Sequence, residues 1–129
     1  MAAPGSTDLA EMLASLGVER RPGVFTYLAV VSPPPQLLAA AQAVVNEGRS
    51  TTIVVPVEVA EDAGHPVVVR LAWLTLTVES SLEAVGLTAA ISARLTELDI
   101  SCNVLAGYHH DHLLVPLHRA QDAIDALSS

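Results

Sequence analysis

The chain has 129 residues, is 51% hydrophobic and only 16% charged, and has a mean hydropathy of +0.47. That composition excludes a disordered chain and demands a large buried core, in one compact domain or in two very small halves. Six arginines, no lysine and a net charge of −8 exclude the basic stripe that neutralises nucleic-acid phosphates.

The N-terminus, MAAPGSTDLAEM, lacks the basic region and long apolar block of a signal peptide. No uninterrupted apolar run approaches the roughly 20 residues that span a bilayer, so the expected location is the cytoplasm. Asp8, with Glu11 three residues on, reads as a capping box before Leu9, Met12, Leu13 and Leu16, and Gly17 stops that helix. Residues 23–31, GVFTYLAVV, form a β-rich run between Pro22-Gly23 and Pro33-Pro34-Pro35. An Ala-rich helix is predicted over 36–48, with Gly48 as its stop. A second strand is predicted over 50–59 with Pro56 at its end or at an edge, and EVAEDAGH follows as a short helical turn.

Residues 67–79 read as the clearest strand, with Leu74, Leu76 and Val78 alternating with Trp73, Thr75 and Thr77. The second face carries too little charge for a solvated surface. It is expected to be buried against a second sheet or subunit, or against the N-terminal half of the same chain. Ser80 with Glu83 forms another capping box, and from Ala84 onwards Leu87, Ile91, Leu95 and Leu98 share a helical face. SCNVLA (101–106) and HLLVP (112–116) are strands joined by the hairpin loop GYHHD, and LHRAQDAIDAL closes the chain as a helix. Cys102, the single cysteine, excludes an intrachain disulfide and a Cys-rich zinc site, and reads as a small buried side chain.

A weak repeat accompanies this order. Residues 53–63, IVVPVEVAEDA, align with 113–123, LLVPLHRAQDA, at an offset of 60. Each copy follows a strand–helix pair, and on this reading the first half lacks the strand that SCNVLA supplies in the second. The order over 70–127 is a ferredoxin-like pattern wanting one more strand.

The segments VESSLEAVGLTAAIS, DISCNVLAGYHHDHLLVP and HRAQDAIDAL resemble the ACT-domain family, in particular small stand-alone bacterial ACT-like proteins. These are related to the ACT repeats of cytosolic arginine sensors and aspartate kinases. The resemblance covers residues 23–127 and is strongest over 73–117. It implies an α+β, ferredoxin-like antiparallel sheet with helices on one face and two ACT-like halves, the first reduced. The expected division is a lead-in over 1–22, a first half over 23–66 and a second over 67–129. The resemblance also implies an amino-acid or similar ligand and a homodimer. Mapped onto this sequence, the implied ligand residues are Ser80, Ser81, Leu82, Glu83, Ala84, Val85 and Gly86, then Gly107, Tyr108, His109, His110 and Asp111. Asp111 matches the acidic hairpin residue that holds a cationic ligand end in the arginine sensors. The loop SSLEAVG departs from the family's frequent Asn-x-Pro-Gly, so the resemblance does not name the ligand.

Physical chemistry gives each polar seam two readings. Free N–H groups at a helix start suit a carboxylate, and Gly86 gives a ligand access to the backbone; alternatively Ser80 and Glu83 only cap the helix. Asp111 suits an ammonium or guanidinium group with Tyr108 stacking beside it, or else bonds its own hairpin backbone. Three histidines and an aspartate invite a metal, but strand alternation places His110 and His112 on one side and His109 and Asp111 on the other, so no metal and no cofactor is expected. No nucleophile elbow, Gly-rich phosphate loop or paired-carboxylate constellation is present. The expected protein is therefore not an enzyme. It is a cytoplasmic amino-acid-binding regulator, with a protein–protein interaction module whose ligand site has decayed as the alternative.

Overall fold

A computed structural model describes residues 9–78 and 86–128. The elements run α1 (Leu9–Ala14), β1 (Val18–Val30), α2 (Pro35–Ala40), β2 (Ala43–Asn46), β3 (Thr51–Pro56), α3 (Val57–Asp62), β4 (Leu71–Leu76), α4 (Leu87–Glu97), β5 (Asn103–Ala106), β6 (Asp111–Pro116), a 3-10 turn (Leu117–Arg119) and α5 (Ala120–Ser128). The six strands take the order β2-β3-β1-β4-β6-β5. The architecture is α+β, an antiparallel, ferredoxin-like sheet with helices packed on it. Among the described residues, no helix is long and apolar enough to cross a membrane.

Two compact units share the chain, one built from residues 1–22 and 72–129 and the other from 23–71. In the first, Leu74, Leu76, Leu113 and Val115 put one sheet face against the helices. Leu87, Ile91 and Leu95 recur every four residues along α4, and Ala120, Ala123 and Leu127 lie on one side of α5, so both helices present an apolar stripe to that face. Met12 of α1 is also fully buried in this core. In the second unit, Leu28, Ile53 and Val55 of the strands pack with Leu37 of α2 and Ala60 of α3.

The pattern β4-α4-β5-β6-α5 lacked one strand, and β1 supplies it: β1 lies next to β4, and Thr77 donates to the Gly17 carbonyl at 2.9 Å just before it. Strand β1 thus begins five residues before the expected start. Pro22-Gly23 reads as a boundary because proline has no N–H and glycine favours turns. Here the strand passes through the pair, with Gly23 at φ 103°, and pairing with β3 begins at Phe25 opposite Pro56.

The predicted helix over 36–48 is the main correction. It ends at Ala40, Ala41 turns extended (φ −70°, ψ 134°), and Ala43–Asn46 pairs antiparallel with β3 from Ala43↔Val54 to Asn46↔Thr51. Ala-rich composition favours helix only weakly, and ladder pairing of β-branched Val44 and Val45 outweighs it. Gly48, at φ 93°, is a hairpin residue whose N–H bonds Asn46 Oδ1 at 2.8 Å, rather than a helix stop. The first half therefore has its full strand set, and its reduction lies in two helices of six residues each.

Three smaller differences bear on the site. Strand β4 spans only Leu71–Leu76, and both its faces are buried, Trp73 as fully as Leu74. Helix α4 begins at Leu87 rather than near Ala84, and Leu98 is 45% exposed at its end rather than on the apolar face. Cys102 is half-buried rather than buried and lies just before β5; burial pushes its thiol pKa up. Asp8 of the first capping box lies outside the described residues.

Candidate functional site

The hairpin between β5 and β6 is closed by Gly107 N–H donating to the His110 carbonyl at 2.9 Å. The ladder continues from Ala106↔Asp111 to Asn103↔Leu114. A β-carbon at position 107 would stand 2.7 Å from the His110 oxygen, so glycine is required by the turn itself. At the tip Tyr108 is 64% exposed, and its ring meets His109 edge-on at 4.8 Å. His109 is exposed and His110 half-buried.

Strand β6 sends alternate side chains to its two sides. Asp111 and Leu113 line a crevice with Leu76, Thr88, Ile91 and Val104, too narrow for a water molecule. Thr88 is in the first turn of α4, so the hairpin's acid and the start of that helix share one place. Burial raises the Asp111 carboxyl above its ordinary value, opposed by the neighbouring His112 and His110. Ser80, Ser81, Leu82, Glu83, Ala84 and Val85, with the second capping box, lie outside the described residues. Gly86 is the N-cap of α4 at φ 98°. A β-carbon there would come within 3.0 Å of Leu9 Cδ2, so α1 packs against this glycine.

On the other side of β6, His112 anchors a cluster that sequence reasoning did not assemble. Trp73 Nε1 donates to His112 Nδ1 at 3.2 Å, and Thr75 Oγ1 lies 2.9 Å from the same nitrogen. An indole N–H can only donate, so Nδ1 carries no proton, Thr75 donates to it as well, and the imidazole proton sits on Nε2. The Arg21 guanidinium lies 4.1 Å from the Trp73 ring centroid. Trp73 and Thr75 are legible in the sequence as one strand face, but Arg21 is not, because Pro22-Gly23 marks VERRP as lead-in rather than as strand. What buries Trp73 includes Arg21 and His112 of the same chain. Among the described residues no group of three His, Cys, Asp or Glu side chains could hold a metal ion.

Burial, then Arg21 and His110, hold His112 below the ordinary histidine value, with Asp111 opposing them. The folded state thus disfavours the imidazolium, and the unfolded chain takes up the proton first as pH falls. The stabilisation from this neutral imidazole is complete above about pH 6.5 and is lost as pH drops through the depressed folded value. Urea midpoints measured from about pH 7.5 down to pH 5 are expected to fall. In His112→Gln, whose amide oxygen can accept from Trp73 without titrating, the slope is expected to flatten.

Residues 68–129 match the ACT domain family. Over 91% of this chain and 91% of the other, the fold is similar to that of a Vibrio cholerae protein of unknown function described as a possible transport protein, at 38% identity and a TM-score of 0.82. The chain belongs to the ACT-domain family. The ACT fold is shared at lower identity with an Agrobacterium tumefaciens protein (14% identity, TM-score 0.62, covering 88% of this chain and 87% of that one). It is shared also with the regulatory subunit of aspartate kinase from Thermus flavus (11% identity, TM-score 0.58, covering 87% and 95%). No curated protein matches the chain. ACT domains are regulatory, non-catalytic modules, and no catalytic family accompanies the match.

Proposed function

We propose that this ACT protein is a non-catalytic regulator that binds a cytoplasmic amino acid and works as a homodimer. The ligand carboxylate would sit at residues 81–86, just before α4, and its cationic end at Asp111. Changed packing between subunits would be the output, which requires that the ligand bind one packing better than the other. The observation that carries this reading is that Asp111 and Thr88 adjoin, which puts an acidic hairpin residue beside the first turn of α4; the crevice between them is closed to water, so the ligand would sit over its mouth rather than inside it. A carboxylate suits the free N–H groups of such a helix start, and an ammonium or guanidinium suits the aspartate. The fold shared with an aspartate kinase regulatory subunit supports the regulatory half of the proposal.

Thermal unfolding in the presence of each of the twenty amino acids at millimolar concentration tests it. A ligand in hundredfold excess over its dissociation constant stabilises the folded state by about 2.7 kcal/mol, a shift of several degrees. One amino acid is expected to give that shift, and Asp111→Ala is expected to abolish it with the circular dichroism spectrum unchanged. No shift with any amino acid would favour the interaction-module reading instead.

A further inference from the structure

A second concavity lies on the opposite side of β6 from Asp111, with a volume of about 340 Å³ and a wall of Glu19, Arg20, Arg21, Pro22, Thr75 and His112. Its chemistry runs against that of the whole chain. The protein carries a net charge of −8 and six arginines, and two of those are consecutive in this wall. Among the described residues of the wall, Glu19 is the one carboxylate. With two guanidinium groups against one carboxylate the wall is positive on balance, and a locally positive cleft raises the concentration of anions whatever the net charge of the molecule.

Two of the groups in this wall, Arg21 and His112, are held in place, while Arg20 is exposed. Arg21 is fixed over the Trp73 ring at 4.1 Å, and Trp73 itself is 3% exposed. His112 is bound through Nδ1 to Trp73 and Thr75, which fixes its ring, and its Nε2 lies beside Gly107 of the hairpin. Guanidinium groups present planar pairs of N–H donors that match the two oxygens of a carboxylate or phosphate. Held donors lose less freedom on binding, and each charge-assisted bond is stronger than a neutral one.

We infer that the concavity formed by Arg20, Arg21, Thr75 and His112 is a binding site for the oxyanion of a small molecule, a carboxylate or a phosphate. The site is separate from the hairpin–helix crevice, and its existence does not depend on the amino-acid reading given above. Because Trp73 is the only tryptophan in the chain and touches both Arg21 and His112, occupancy is reported by its fluorescence.

The experiment titrates the full chain with sodium acetate and, separately, inorganic phosphate, at ionic strength held constant with chloride, while following Trp73 emission. A saturable change with at least one anion is expected, with half-saturation at about 1–10 mM for so small a probe. Acetate alone would identify a carboxylate ligand, phosphate alone a phosphate-bearing one, and both a general oxyanion site. Arg20→Gln, an exposed position whose loss leaves the Trp73 stack intact, is expected to weaken the half-saturation by roughly fivefold or more. Arg21→Gln is expected to remove the response. Asp111→Ala is expected to leave it unchanged, which separates this site from the crevice. The inference is overturned if neither anion gives a saturable change up to about 50 mM, or if the change survives both arginine substitutions.

Discussion

Trp73→Ala is expected to destabilise the protein by about 3–5 kcal/mol, the range for deleting a large aromatic from a packed interior. The side chain is 3% exposed, so its removal forfeits the area it buries and leaves a cavity. Two further losses follow from its neighbours. Arg21 loses the ring it lies over at 4.1 Å, and His112 loses the N–H that selects its tautomer. Trp73→Phe separates these effects, because it keeps most of the apolar volume and removes the donor. Its cost is expected at roughly 1–3 kcal/mol, with Thr75 still donating to Nδ1. Urea unfolding followed by far-ultraviolet circular dichroism measures both variants. A cost below about 1 kcal/mol for Trp73→Ala would mean that the surrounding strands close over the gap, contrary to a rigid cluster.

The architecture of the second half was legible because its signals are local and agree with one another. Leu87, Ile91 and Leu95 fix a helical face, the alternation around Leu74 and Leu76 fixes a strand, and a polar pentapeptide between two apolar runs fixes a hairpin. The first half was less legible where tertiary pairing overrode local preference. Ala39 to Asn46 carries a helix-forming composition at its start and β-branched valines at its end, and only the presence of β3 decides where one gives way to the other. Pro22-Gly23 misled for a related reason. The pair interrupts a strand only if that strand keeps one set of partners, and β1 lies beside β4 and β3, with β3 pairing starting at Phe25.

The candidate sites divide along the same line. Asp111 was found because a hairpin gathers polar residues within a few positions. The wall of Arg20, Arg21, Thr75 and His112 was not, because it joins three strands whose residues lie far apart in the chain. The adjacent arginines in a lysine-free acidic sequence were the one available clue. They acquire meaning only when 18–22 is known to be strand rather than lead-in.

The repeat at offset 60 makes the last prediction. Strands β3 and β6 occupy positions 51–56 and 111–116, show the same sequence of half-buried and buried residues, and end at Pro56 and Pro116 with nearly equal backbone angles (φ −57°, ψ 144° and φ −54°, ψ 135°). A proline at that point has no N–H to donate to the ladder, and its fixed φ turns the chain towards the helix that follows. Ile53 and Leu113 are therefore the same structural position in two cores, at 0% and 1% exposure. Ile53→Ala and Leu113→Ala are each expected to cost about 2–5 kcal/mol. The larger cost is expected for Leu113, whose neighbours Leu74, Leu76, Ile91 and Leu95 belong to a long helix-backed core that relaxes little around a cavity. Ile53 faces the short helices α2 and α3 through Leu37 and Ala60, where collapse is easier. Amide exchange resolves the two by location. Ile53→Ala should raise exchange rates over residues 23–71, and Leu113→Ala over 72–78 and 86–128. If either substitution costs less than about 1 kcal/mol, the matched burial of the two strands does not reflect matched roles in their cores.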